Sequence, residues 1–254
     1  MLPINECLTT VNRTVYNNAN RIKYIVIHYF GALGTAKGTC EYFKSVNRGG
    51  SAHYFVDDTS IWQCVRDGDA SWHCGDAGKG THKGLCTNAN SIGIEMRPYK
   101  LDLSTLSSAA ARDWYFNDAT VVNTTELVLY LMKKYNIPAS NVIRHYDVTA
   151  KLCPRPWVGS DINTHYKRTG NSLWAEFKAK LEDENMTGKE IYEKLQEYLK
   201  GQAMPSEMAK EFDEAIAMGI TDGSNPAQLI PVWRSAILTK RAVKKCMAQI
   251  DTGK

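Results

Sequence analysis

The chain of 254 residues contains no run of 18 apolar residues, so neither a membrane-spanning helix nor membrane insertion is expected. Its opening stretch, "MLPINECLTTVNRTVYNNANR", lacks a basic segment followed by an apolar core. It does not read as a signal peptide, and the expectation is a protein that is made in the cytoplasm and at first stays there. There is no CxxC pair, the usual half of a closed structural zinc site. The seven cysteines (Cys7, Cys40, Cys64, Cys74, Cys86, Cys153 and Cys246) are odd in number. With no secretion signal they read as reduced thiols, most of them small buried hydrophobes. Charge of one sign is also scarce. Lys and Arg total 31 against 27 Asp and Glu, a net +4. That falls short of a nucleic-acid-binding balance, so no nucleic-acid partner is expected, although it favours approach to a polyanionic surface. Long repeats and low-complexity tracts are missing as well.

What is present reads as an α/β domain followed by a smaller helical piece. "IKYIVIHYFG" (22–31) is a nearly continuous apolar and β-branched run ending in glycine, the pattern of a buried central strand, with His28 near its end. "HYFVDDTSIWQCV" (53–65) is two β-prone runs around "DDTS", a hairpin. "SIGIEM" (91–96) is another buried strand, carrying Glu95. "TVVNTTELVLYLMKKYNIP" (120–138) has helical spacing and closes on lysines and Pro138, and "LWAEFKAKLED" (173–183) is a second amphipathic helix. We expect a mixed central β-sheet flanked by helices over 1–183. A connector helix is expected over 184–202, opened by a capping box from Thr187 to Glu190, and a small helical module over 203–254.

"NVIRHYDVTAKLCP" (141–154) places His145, Lys151 and Cys153 within nine residues. His145 and Cys153 are good ligands for a borderline metal, whereas a protonated lysine is not. His28 offers a third ligand, and two histidines, one cysteine and a water would complete a tetrahedral zinc site with an open position. Spacing alone cannot join His28 to His145. Each residue also has a plainer reading: His28 as a histidine of the core, Cys153 as a buried thiol, Lys151 as a solvated loop lysine, and Glu95 as a buried ion-pair partner of Arg97 or Arg144.

The series "IVIHYFG", "SAHYFVDD", "SWHCGD", "NANSIGIEM" and "IRHYDVTAKLCPRP" resembles, in this order and over roughly residues 20 to 160, the zinc-dependent N-acetylmuramoyl-L-alanine amidase family. This is the amidase-2 type, related to peptidoglycan recognition proteins and to phage and prophage endolysins. The resemblance implies a mixed sheet with helices packed on it, a zinc ion in a surface groove, and cleavage of the amide between the lactyl group of N-acetylmuramic acid and L-alanine of the stem peptide. Carried over by position, the zinc ligands would be His28, His145 and Cys153. Some relatives have aspartate at the last position; a thiolate there makes zinc a weaker Lewis acid and selects it over hard cations. Glu95 matches the acidic residue that moves protons in some members. Lys151 matches the lysine that stabilises the oxyanion. One branch has a tyrosine where this chain has Ala52. Strand alternation would put Tyr54 on the same face as Ala52, as a weak substitute. The resemblance further implies substrate contacts from Trp72, His73, Tyr54 and Asn90. His53 is read as facing sheet or solvent and His82 and His165 as surface residues, and the spacing of Cys64, Cys74 and Cys86 fits no zinc pattern.

The C-terminal "AKEFDEAIAMGITDGSNP" and "WRSAILTKRAV" resemble a short helix–turn–helix segment that follows amidase domains in lysins of Gram-positive bacteria and their phages. Two roles fit: attachment to a secondary wall polymer, or homodimerisation. The leading expectation is a peptidoglycan-cleaving endolysin held in the host cytoplasm until it is released to the wall. A recognition module that binds muropeptide without cutting usually lacks the cysteine ligand, which is present here. A cysteine hydrolase with Cys153 as nucleophile would need a setting that lowers the thiol pKa.

Overall fold

The computed structural model describes residues 1–184 apart from 76, 77 and 109, and beyond them only Asp213, Glu214 and Ala217. Nearly all of these belong to the first of two units, Met1–Asn185 and Met186–Lys254. The connector helix and most of the helical module expected after residue 184 lie outside the described residues.

The first unit is built on six strands: β1 (Ile4–Glu6), β2 (Tyr24–Tyr29), β3 (Tyr54–Val56), β4 (Ile61–Gln63), β5 (Ser91–Met96) and β6 (Val142–Arg144). Their order across the sheet is β1-β4-β3-β5-β2-β6. Only the β3–β4 hairpin pairs antiparallel; every other neighbour is parallel. The hairpin turns at Asp57–Ser60, where the Asp57 carboxylate accepts the backbone amides of Thr59 and Ser60. That is the local side-chain bonding that makes aspartate a turn former.

The two central strands are covered on both faces, which is why they read as almost unbroken apolar runs. Ile25, Ile27 and Tyr29 of β2 and Ile92, Ile94 and Met96 of β5 point to one face. There they pack with Leu127, Val128 and Leu131 of α2 (Asp118–Tyr135) and Leu173, Phe177 and Leu181 of α4 (Gly170–Glu184). The α2 boundaries follow capping chemistry. Asn117 accepts the Thr120 amide at the start, and Asn136 closes the end in the left-handed conformation, φ 53°. A side-chain cap of this kind is worth roughly 1 kcal/mol.

The opposite face divides in two. Under the hairpin, Phe55 packs with Cys7, Cys40, Ala52 and Cys64 beneath α1 (Ala36–Lys44), a helix capped by Thr35. Under β2 and β6, Val26, Ile143 and Val148 pack with Cys74 and Cys86, and Val148 lies on the one-and-a-half-turn helix α3 (His145–Thr149). The six described cysteines are all unpaired and buried, in keeping with their reading as small hydrophobes.

Candidate functional site

Register assembles the site. In β2 and β5, His28 stands opposite Glu95. In β2 and β6, Ile27 stands opposite Arg144, so His145, the next residue, begins α3 beside His28. Paired residues of parallel strands project to the same face, so His28 and Glu95 share the face away from α2. Arg144 anchors the start of α3. Its guanidinium grips Asp147 at 2.8 and 3.1 Å and also donates to the Trp157 carbonyl and to Asn171. Cys153 returns to the same place because its carbonyl accepts the Tyr146 amide at 2.8 Å and its amide donates to the Lys151 carbonyl at 2.7 Å.

The ligand atoms of His28, His145 and Cys153 lie within 4.8 Å of one another, and all three residues are buried. His28 Nδ1 is 3.7 Å from Cys153 Sγ and 3.9 Å from Glu95 Oε1. The His28 and His145 rings are 4.7 Å apart between centroids. Two buried polar atoms here have no hydrogen-bond partner among the described residues, His145 Nδ1 and Glu95 Oε2. Leaving such atoms unpaired costs about 1–3 kcal/mol each. The donor set of two imidazoles and a thiolate suits zinc. The cluster opens into a cleft of about 290 Å³ lined also by His73, Lys151, Trp114, Phe30, Leu106 and Ser107.

Burial sets the protonation states. It pushes His28 well below the usual imidazole range, helped by His145, His73 and Lys151. It takes His145 down to about 3, again with Lys151 and His73 adding to the effect. Both rings are thus neutral at physiological pH, the form that ligates metal. Burial raises the Cys153 thiol, and nearby Glu95 raises it further. A thiol that burial keeps protonated is a poorer nucleophile than a thiolate, which argues against the cysteine-hydrolase alternative. Burial also lifts Glu95 to about 8, partly countered by Lys151.

This elevation has a testable sign. A carboxyl whose pKa is raised on folding makes its favourable contribution below the unfolded value, about 4.3, and loses it as pH rises through the folded value. In metal-free protein, Glu95→Gln is therefore expected to match wild type near pH 4. Its melting temperature should then exceed wild type by a margin that grows up to about pH 8. Thermal melts with chelator across that range check this; a margin that does not change with pH would contradict it.

Of the residues proposed from sequence, His28, His73, Glu95, His145, Lys151 and Cys153 meet in one cleft. Glu95 is not the partner of either candidate arginine: Arg97 pairs with Asp58 and Arg144 with Asp147. Lys151 is exposed and, among the described residues, forms no ion pair.

Tyr54 requires a correction. It is buried on the opposite face with the α2 core, and its hydroxyl donates to Asp67 at 2.6 Å. Alternation from Ala52 fails because β3 begins only at Tyr54, so Ala52 is not in the pleat. Trp72 and Asn90 are not among the residues that line the cleft. The Trp72 indole donates to Thr14, and the Asn90 side chain accepts the Thr87 amide and donates to the Leu85 carbonyl.

Three contributors were not read from sequence. Asn88, rather than Asn90, organises the site loop, its Oδ1 accepting the amides of His73, Cys74 and Gly75. Ser91 holds the far nitrogen of His73 at 3.0 Å. Gly93 forms the floor under the His73 ring, where a Cβ would lie 2.6 Å from Cγ. A glycine inside an apolar strand is itself a sign of close approach, and "SIGIEM" carried it.

The comparisons with known proteins agree with this geometry. The family model for N-acetylmuramoyl-L-alanine amidase (Amidase_2) matches residues 18–156. The chain is 32% identical over 164 residues to the N-acetylmuramoyl-L-alanine amidase CwlL of Bacillus licheniformis, covering 60% of this chain and 42% of that protein. It is 34% identical over 137 residues to CwlH of Bacillus subtilis (strain 168), covering 52% and 47%. The matches thus span less than half the length of these two relatives. Among solved structures, a mutant endolysin from Bacillus subtilis superposes with a TM-score of 0.51 at 28% identity, covering 71% of this chain and 99% of that one. PlyL, at 24% identity and a TM-score of 0.54 over 73% of this chain and all of its own, shares the fold. With five motifs in order, the mixed sheet they build and a family match over more than half its length, the chain belongs to the N-acetylmuramoyl-L-alanine amidase family.

Proposed function

We propose that this protein is a zinc-dependent amidase that cuts the bond between the lactyl group of N-acetylmuramic acid and the L-alanine of the stem peptide. Its biological role would be that of an endolysin acting on Gram-positive walls. The observation that carries the reading is the convergence of His28, His145 and Cys153 beside a glutamate with one buried, unpartnered oxygen and an exposed lysine without an ion pair among the described residues, in a cleft open to solvent. The orphaned Nδ1 of His145 and the neutral rings fit a metal with this donor set, and we assign the three side chains as its ligands.

When bound there, zinc supplies Lewis acidity and a lowered pKa for water. The other roles belong to the chain. Glu95 takes a proton from the attacking water and returns it to the departing L-alanine amine; its position 3.9 Å from a ligand nitrogen puts it beside the reacting centre. Glu95, held near 8 by burial against the opposing pull of Lys151, would be shifted toward its ionised, proton-accepting form beside a bound dication. Lys151 keeps a positive charge at the cleft wall, where charge builds on the scissile carbonyl oxygen. The apolar walls from Phe30, Leu106 and Trp114 lower the local dielectric and strengthen both effects.

For residues 203–254 we propose attachment to an anionic wall polymer, with homodimerisation as the alternative. Storage in the host cytoplasm until release to the wall completes the proposal.

The test is product chemistry. Digestion of purified peptidoglycan should expose new L-alanine amino groups without new reducing sugar ends. The activity should vanish on chelation and return with zinc. Reducing ends appearing in step with wall clearance would indicate a glycosidase and overturn the assignment.

A further inference from the structure

Which nitrogen of His28 is free to ligate depends on what its other nitrogen does, and a chain of hydrogen bonds decides that. The chain starts at the Thr87 carbonyl, which can only accept. Ser91 Oγ lies 2.5 Å from it and donates its proton there. With that proton committed, Ser91 Oγ accepts from His73 Nε2, 3.0 Å away. With one N–H, placed on Nε2 by this bond, the His73 ring presents Nδ1 as an acceptor. His28 Nε2 lies 3.0 Å from it and must donate. His28 is left with a bare Nδ1, the atom 3.7 Å from Cys153 Sγ.

The middle member of this relay is clamped independently of its ring nitrogens. Asn88 Oδ1 holds the His73 amide at 3.0 Å. Gly93 lets the ring lie on the sheet, since a Cβ there would come within 2.8 Å of His73 Nδ1. The Gly93 amide is in turn taken by His53 Nδ1 at 3.1 Å, and His53 is itself fully buried.

We propose that His73 and Ser91 are positioning residues that lock His28 in its Nε2–H tautomer and so present Nδ1 to the metal. The proposal rests on the assignment of His28 as a ligand. It moves His73 from substrate contact to support of a ligand, a role whose loss typically lowers metal affinity about 10–100-fold.

The first experiment needs no metal. Long-range proton–nitrogen NMR on the chelated full chain should show both His28 and His73 protonated at Nε2 and bare at Nδ1. A His28 protonated at Nδ1, or a His73 protonated at Nδ1, would overturn the proposal whatever the metal reading. Zinc titration of wild type separately tests the metal: no zinc uptake with the expected tautomers would sink the zinc assignment and leave the relay standing. In the variants, His73→Phe should lower zinc affinity about 10–100-fold and populate the Nδ1–H form of His28. Ser91→Ala should change both in the same direction. His73→Asn should stay within a few-fold of wild type, because its Oδ1 can take the acceptor place of Nδ1. If His73→Phe does not fold, the wild-type tautomers and Ser91→Ala decide the matter. Unchanged zinc affinity and tautomer in Ser91→Ala and in a folded His73→Phe would refute the relay.

Discussion

Bound zinc well below one per chain, and no detectable amide hydrolysis, is the expected result for each of His28→Ala, His145→Ala and Cys153→Ser. A catalytic zinc site has three protein ligands and no reserve, and the three proposed here have their ligand atoms within 4.8 Å of one another. Two of the neighbouring polar groups offer no replacement. His73 is tied to Ser91 and His28, and Lys151 cannot ligate while protonated. Serine at 153 has the size of cysteine but lacks a soft, readily ionised sulfur. Because burial favours the neutral forms of both rings and of the thiol, the metal-free fold does not depend on ionising these groups. The variants should therefore remain folded, which thermal melts of chelated samples can establish. Metal analysis then decides. A Cys153→Ser protein that keeps a full complement of zinc and its activity would remove the cysteine from the site.

Glu95→Gln should do the opposite to the metal and nearly the same to turnover. Zinc content is expected to stay at the wild-type level while the rate falls about 10²–10⁴-fold, the usual contribution of a general acid–base group. Glutamine keeps the shape and can still form hydrogen bonds in the cleft, but it cannot carry a proton between water and amine. The carboxylate is well placed for that work, since Oε1 faces His28 Nδ1 while Oε2 has no partner among the described residues. Tyr54 cannot take over, being buried on the far face with its hydroxyl committed to Asp67. A variant within a few-fold of wild type would therefore move the role to solvent. Zinc loss in the same variant would instead make Glu95 a ligand.

Much of the frame was legible locally. The apolar runs at 22–31 and 91–96 became the two central strands because both their faces are covered, and the helix expected over 120–138 forms as Asp118–Tyr135. The hairpin around "DDTS" follows from aspartate turn chemistry. Less was legible where elements are short. The three-residue strands β1 and β6 carry too little pattern to announce themselves. The stretch 141–154, to which the sequence pattern assigns no element, holds a strand and a short helix. Of the residues assigned to substrate contact, Trp72, Tyr54 and Asn90 do not line the cleft, for related reasons. A motif says which residues occur together in sequence, whereas the direction of each side chain depends on where the strand begins and on what its polar atoms already bond.

By itself, the sequence determined the kinds of element, the burial of the central strands and the list of residues able to ligate metal or move protons. Those properties depend on neighbours within a few positions, through periodicity, capping and side-chain chemistry. Only the tertiary structure decided that His28 lies opposite Glu95, that His145 begins a helix next to both, and that Cys153 comes within 3.7 Å of a residue 125 positions earlier. It also decided that His73 backs His28 over Gly93. Parallel pairing joins segments distant in the chain, and a slip of one residue would turn every one of these side chains to the other face. Register is held by the packing of whole faces, the α2–α4 core on one side and the cysteine-lined clusters on the other, so no single segment could specify it.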